Sequence, residues 1–293
     1  MSRSCLPPDA TPEPLQFALP TGAWDCHAHV FGPYADYPLA DERSYTPPEQ
    51  PAERYLAHLD RFGFAHGVLV TASATGTDNR SVTDALERVP GRLRGVIVPA
   101  SDSTDEQLDR WTAAGVRGVR VNLLRKAGQA VYRNGIGLEQ LQHLAPRLAC
   151  RGWHVQVWIH APDLPELAPA LAKLGMPLVI DHMGRMNTDL GVDQPGFQAL
   201  CRMLAEGRAW AKLSGADRIS LTGPPYADAD AFALALIDAN PEQLVWGSDW
   251  PHINYFTPPV PNDGLLLNRL ARWLPDPQLR QRVLVDNPGR LYA

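Results

Sequence analysis

Short apolar runs alternate with longer amphipathic stretches along nearly the whole chain. The runs fall at 24–30, 67–72, 93–100, 116–124, 154–161, 177–183, 209–215 and 244–250. Several are almost continuously apolar (GVLVTA, RGVIVPA, PLVIDHM), the pattern of parallel strands buried on both faces. Helical periodicity fills the intervals at 51–62, 81–89, 104–114, 138–151, 164–174, 196–206 and 227–240, and an eighth helix is expected at 275–286. Eight strand–helix units at spacings of about thirty residues predict a single-domain (β/α)8 TIM barrel over 23–293. Residues 1–22, rich in Pro and Thr, read as an irregular N-terminal arm lying across it. An open doubly wound sheet is the rival, but DCHAHVFG is not the Gly-rich turn that such a sheet places after its first strand.

A barrel gathers its strand ends on one face, and the strand ends here carry reactive side chains. In DCHAH, His27 and His29 are two apart, so strand alternation turns both into the barrel mouth. The sixth run ends in Asp181-His182, which packing does not explain, because ionisable groups are rarely buried without partners. The eighth ends in WGSDWPH, where Pro251 and an irregular stretch after it argue against Asp249 as a mere helix cap. Arg120, Arg185 and Arg218 lie at or just past strand ends, and bidentate guanidinium pairing suits a small anionic substrate. Ser73 and Asn79, after the second strand, are candidate neutral hydrogen-bonding partners for it.

Composition adds exclusions. A net charge of -5 without a basic cluster argues against nucleic acid as a partner. No apolar segment approaches the length of a membrane span. Four scattered cysteines without a CxxC pair, and an N-terminal stretch lacking a signal-peptide run, predict a reducing, cytoplasmic setting. Oligomeric state is left open.

His-x-His on strand one, His on strand six and Asp on strand eight resemble the amidohydrolase superfamily. More closely, the chain is similar to the 2-pyrone-4,6-dicarboxylate lactonase group, which includes sugar-lactone and sulfomuconolactone hydrolases. The shared segments are DCHAHVFGP, Ser73 with GTDN, RGVRVN, GWHV, VIDHMGR, WGSDWPH and NPGRLY, in family order across almost the whole chain. The resemblance implies lactone-ring hydrolysis, with Asp249 as the general base for water and His27, His29 and His182 polarising the carbonyl. It also assigns Tyr45, Arg120 and Arg218 to the substrate. Two departures blur the choice of lactone. Trp158 stands where the pyrone-dicarboxylate enzyme has a tyrosine, and Arg125 or Lys126 stands where its second carboxylate arginine is expected.

The superfamily's founding members hold metal with the HxH pair, a strand-four Lys, further histidines and the Asp. The fourth run here, VRVNLL, has no Lys, and the lactonase group works without a required metal. The expectation is therefore no required cofactor. The alternative is a single zinc on His27, His29, His160 and Asp249. The other reading of His160 is a hydrogen-bonding residue facing substrate. A lactone isomerase or a metal-dependent non-oxidative decarboxylase on the same barrel remains open beside the hydrolase.

Overall fold

The computed structural model describes residues 2–126, 129–131 and 134–293 of the chain, with the side chains of Lys126, Gln129 and Ala130 outside the description. Eight strands form one all-parallel sheet: β1 (Trp24–Ala28), β2 (His66–Val70), β3 (Leu93–Ile97), β4 (Val116–Asn122), β5 (His154–Trp158), β6 (Leu178–Ile180), β7 (Ala209–Lys212) and β8 (Leu244–Val245). They pair in sequence order, and a parallel bridge between Ala28 and Trp250 joins the two edges. The predicted barrel is the observed architecture.

Strand alternation divides the side chains between two layers. Leu69, Ile97, Val119, Val155, Ile180 and Ala211 face outward and pack against the helices. Trp24, Cys26, Val68, Val70, Val96 and Val245 face inward. The C-terminus closes the barrel floor. Tyr292 is fully buried against Trp24, with ring centroids 6.1 Å apart, and Arg94 Nε donates to its carbonyl at 2.9 Å.

Helices α1 (Ala52–Phe62), α2 (Arg80–Arg88), α3 (Asp105–Ala114), α4 (Leu138–Ala149), α5 (Leu164–Ala172), α6 (Pro195–Ala205) and α7 (Asp230–Ala239) lie where periodicity predicts. The eighth does not. It is α8 (Asp263–Trp273), started by Asn262, whose side chain accepts from Leu265 N at 3.1 Å. The expected segment, 275–286, instead begins a separate C-terminal run of short helical pieces. The strands are also shorter than expected. His182 and Asp249 sit in turns just past β6 and β8, both with left-handed backbone (φ 51° and 64°), a conformation of order 1–3 kcal/mol for a non-glycine residue.

The floor carries a buried, pH-sensitive histidine. His154, buried on β5, has its pKa pushed down to about 3 by burial and by the nearby Lys212 ammonium. The unfolded chain takes up this proton near pH 6.5, so stability is full above that value and drains as pH falls toward the folded value. Urea titrations between pH 7 and 4.5 should therefore show a steeper loss in the native chain than in His154→Leu. Parallel slopes would remove His154 from this role.

Candidate active site

Residues from β1 meet the turns after β6 and β8 at one buried point. The pairing of β1 with β2 shifts register between Asp25 and Ala28. Such an irregularity re-aims side chains. Cys26 packs inward with Trp24 and Val68, yet His27 also reaches the interior. His27 and His29 then stand edge to face, with ring centroids 4.9 Å apart and planes at 87°.

Asp249 is the centre. Its Oδ1 lies 3.5 Å from His29 Nε2, 3.7 Å from His27 Nε2 and 3.8 Å from His182 Nε2. Among the described residues, neither Asp249 Oδ1 nor His182 Nε2 has a hydrogen-bond partner, although both are buried. The other oxygen, Oδ2, accepts two bonds from Arg218, at 2.9 Å from Nε and 2.6 Å from the terminal nitrogen. Burial alone would raise the Asp249 pKa. The Arg218 guanidinium, with His182 nearby, outweighs burial and holds it well below the carboxylate range. The group is thus ionised with one lone-pair face toward the rings.

The imidazoles are neutral. Burial is the chief cause for all three, bringing His182 to about 4 and His27 and His29 below their ordinary value. His29 Nδ1 donates to the Val70 carbonyl at 2.7 Å, which leaves its Nε2 as an acceptor. His182 Nδ1 faces Ser214 Oγ at 3.0 Å.

A second layer lies beneath the rings. Asp181 contacts His27 Nδ1 at 3.2 Å, Arg120 at 3.5 Å, Lys212 Nζ at 3.4 Å and Gln156 Nε2 at 3.1 Å. Asp25 braces the backbone, accepting from His27 N at 3.2 Å, Ser248 N at 2.8 Å and Ser248 Oγ at 2.6 Å. Gly247 completes this contact. A Cβ there would lie 2.5 Å from both His27 Cβ and His27 N. Gly247→Ala should therefore cost about 1–3 kcal/mol of stability by overpacking and lower turnover by displacing His27. Urea unfolding and initial rates on one preparation check both effects, and an unchanged midpoint would contradict the packing.

Beside this centre opens a cavity of about 420 Å³, lined by Thr71, Ser73, Arg120, Asn122, Arg125 and Asn134 among others. Ser73 Oγ donates to Tyr45 Oη at 3.4 Å. Trp158 packs edge-on to His182, with centroids 5.6 Å apart, and the Arg120 and Arg185 guanidinium carbons lie 4.8 and 5.9 Å from its ring. Arg185 also donates to the Arg218 carbonyl at 3.1 Å.

The structure therefore brings together His27, His29, His182 and Asp249, and sets Ser73 and Arg120 on the cavity wall. Two other candidates stand apart from this group. Asn79 was expected to touch substrate, but its amide oxygen accepts from Thr71 Oγ1 and Val98 N, and its nitrogen donates to the Thr77 and Val98 carbonyls. It staples the loop after β2 instead. His160 was the fourth ligand of the alternative zinc site. Among the described residues, ligand atoms with metal-like spacing occur as His27, His29 and Asp249, and as His27, Asp181 and His182, with His160 in neither set. His160 opens the turn after β5, where it is half buried. Lys212, Gln156, Asp181, Ser214 and Asp25 are the supporting residues that sequence reasoning left unassigned.

Residues 24–293 match the amidohydrolase family profile. Over 290 residues the chain is 42% identical to a 4-sulfomuconolactone hydrolase of Rhizobium radiobacter, spanning 99% of this chain and 96% of that protein. A 2-pyrone-4,6-dicarboxylate hydrolase of Comamonas testosteroni is 38% identical, covering 97% of this chain and 94% of its own length. Among solved structures, a protein of Pseudomonas putida, provisionally named a 2-pyrone-4,6-dicarboxylic acid hydrolase, superposes with a TM-score of 0.80 at 37% identity over 94% and 98% of the two chains. A zinc-bound amidohydrolase of Burkholderia multivorans shares the fold alone, at 19% identity with a TM-score of 0.66 over 94% and 99% of the two chains. The profile spans the whole barrel, from its first strand to the C-terminal residue, and the chain belongs to the amidohydrolase family.

Proposed function

We propose that this protein is a hydrolase that opens the ring of a small anionic lactone. The observation that carries the reading is Asp249 Oδ1, an ionised oxygen facing three neutral imidazoles beside a cavity walled by Arg120 and Arg125. Water on Oδ1 attacks the lactone carbonyl and gives its proton to Asp249. Imidazole N–H groups stabilise the oxyanion that forms. The ring C–O bond then breaks, and the departing oxygen takes up the proton held by Asp249, which restores the carboxylate while that oxygen stays tethered to the product acid.

Asp249 is a weak base while Arg218 holds it. A substrate carboxylate or sulfonate reaching Arg218 would compete for the guanidinium and raise the proton affinity of Asp249 as the substrate docks. Arg218 then serves both substrate and base, and Arg120 is the main anion anchor. Tyr45, Ser73, Trp158 and Arg185 line or back the same mouth. Trp158 brings one N–H donor and no acceptor where the pyrone-dicarboxylate enzyme has a tyrosine, so a muconolactone-type or sugar-acid lactone fits at least as well as a pyrone dicarboxylate.

A divalent cation is not part of this reading. Although His27, His29 and Asp249 have ligand spacing, Oδ2 of Asp249 is taken by Arg218, and Lys212 stands 3.1 Å from His27 Nδ1. Fixed cations on both sides oppose a further double charge in a buried site. Among the described residues no helix is long and apolar enough to cross a membrane, and four unpaired thiols fit a cytoplasmic setting.

A panel of muconolactones, pyrone carboxylates and sugar-acid lactones, followed by acid release and product NMR, tests the function. Hydrolysis of at least one anionic member is expected. Silence across the panel would sink the proposal, and rearrangement without water uptake would move the protein to the isomerases.

A further inference from the structure

Lys212 has no part in the chemistry above, yet it is fully buried at the end of β7 directly beneath His27. Its ammonium nitrogen lies 2.9 Å from the Cys26 carbonyl and 2.7 Å from Gln156 Oε1. Carbonyl oxygens only accept, so two N–H bonds are committed there. The third points at His27 Nδ1, 3.1 Å away. Gln156 is oriented by the same logic. Its oxygen faces the ammonium and its nitrogen faces the Asp181 carboxylate at 3.1 Å, which turns that nitrogen toward His27 Nδ1 at 3.4 Å. Two donors thus converge on one ring nitrogen. Asp181 Oδ1 is the competing acceptor, but at 3.2 Å it makes no hydrogen bond of acceptable geometry.

We propose that Lys212 is a positioning residue that fixes His27 in the tautomer with its proton on Nε2, so that His27 faces the reaction centre as a donor. The consequences agree across the site. His27 Nε2–H meets His29 Nε2 at 3.3 Å, where the Val70 carbonyl has already made His29 an acceptor. The same N–H lies 3.7 Å from Asp249 Oδ1, within reach of a lactone oxygen bound between them. A nitrogen that carries a proton cannot ligate a cation, so the device also withholds His27 from metal. Asp181 balances the ammonium, burial pushes the Lys212 pKa down while Asp181 pushes it up, and Asp181 itself stays ionised.

The inference rests on the lactonase reading for its catalytic meaning, but its first test does not use substrate. In the full-length protein labelled with nitrogen-15 histidine, His27 should show a protonated Nε2 and a bare Nδ1. A protonated Nδ1 would overturn the proposal, whatever the lactone panel gives. In Lys212→Met, His27 should switch to the Nδ1–H form bonded to Asp181. The variant's kcat should fall about 100-fold, the lower range for a lost proton-transfer or donor role, with KM changed far less. A folded Lys212→Met protein that keeps the native tautomer and rate would also overturn it. Should the variant fail to fold, the tautomer in the native chain decides alone.

Discussion

Asp249→Asn is expected to lower kcat by about 1,000-fold or more, the upper range for removal of a general base. Asparagine keeps the shape and an oxygen for Arg218 but cannot accept the proton of an attacking water. Arg218 retains Ile253 O at 2.7 Å and Asp217 at 3.5 Å, so the barrel should still fold. The lost ion pair is buried, and its removal should lower stability, by up to about 3–5 kcal/mol when a partner charge is left uncompensated. Circular dichroism, urea unfolding and steady-state kinetics on one preparation separate the effects. A folded variant with near-native turnover would take the role away from Asp249.

The second large effect is on binding. Arg120 is nearly inaccessible, stacks on Trp158 at 4.8 Å, and reaches both Asp181 and the cavity. A hydrogen bond to a charged group contributes about 1.5–3 kcal/mol, and about 1.4 kcal/mol is tenfold in affinity. Arg120→Met should accordingly raise KM for an anionic lactone about 10- to 100-fold and change kcat less. The methyl ester of the same lactone, already lacking the charge, should be almost indifferent to the substitution. Equal losses for acid and ester would mean that Arg120 serves Asp181 and the fold rather than the substrate.

The sequence carried the barrel and the convergence of the His–Asp quartet because each is written in local periodicity. Parallel strands read as apolar runs, and His27, His29, His182 and Asp249 stand where those runs end. Helix α8 was obscured by the proline-rich stretch before it, although Asn262 ahead of GLLLNRLARW is a visible cap signal. Side-chain direction was not legible. Asn79 turns into the protein and Arg218 onto Asp249, and spacing along the chain encodes neither. Lys212 did leave a trace. A lysine in AWAKLSG, on a buried parallel strand, is a charge that needs a partner, but only the fold identifies Asp181 and His27 as those partners.

The central claim is that Asp249 activates water for lactone opening in a site that does not need a metal. The most direct measurement is the rate of anionic-lactone opening by chelator-treated protein, with zinc and manganese counted in the same sample. The account predicts undiminished turnover at far less than one metal ion per chain. Activity that disappears with the chelator and returns with stoichiometric zinc would contradict it.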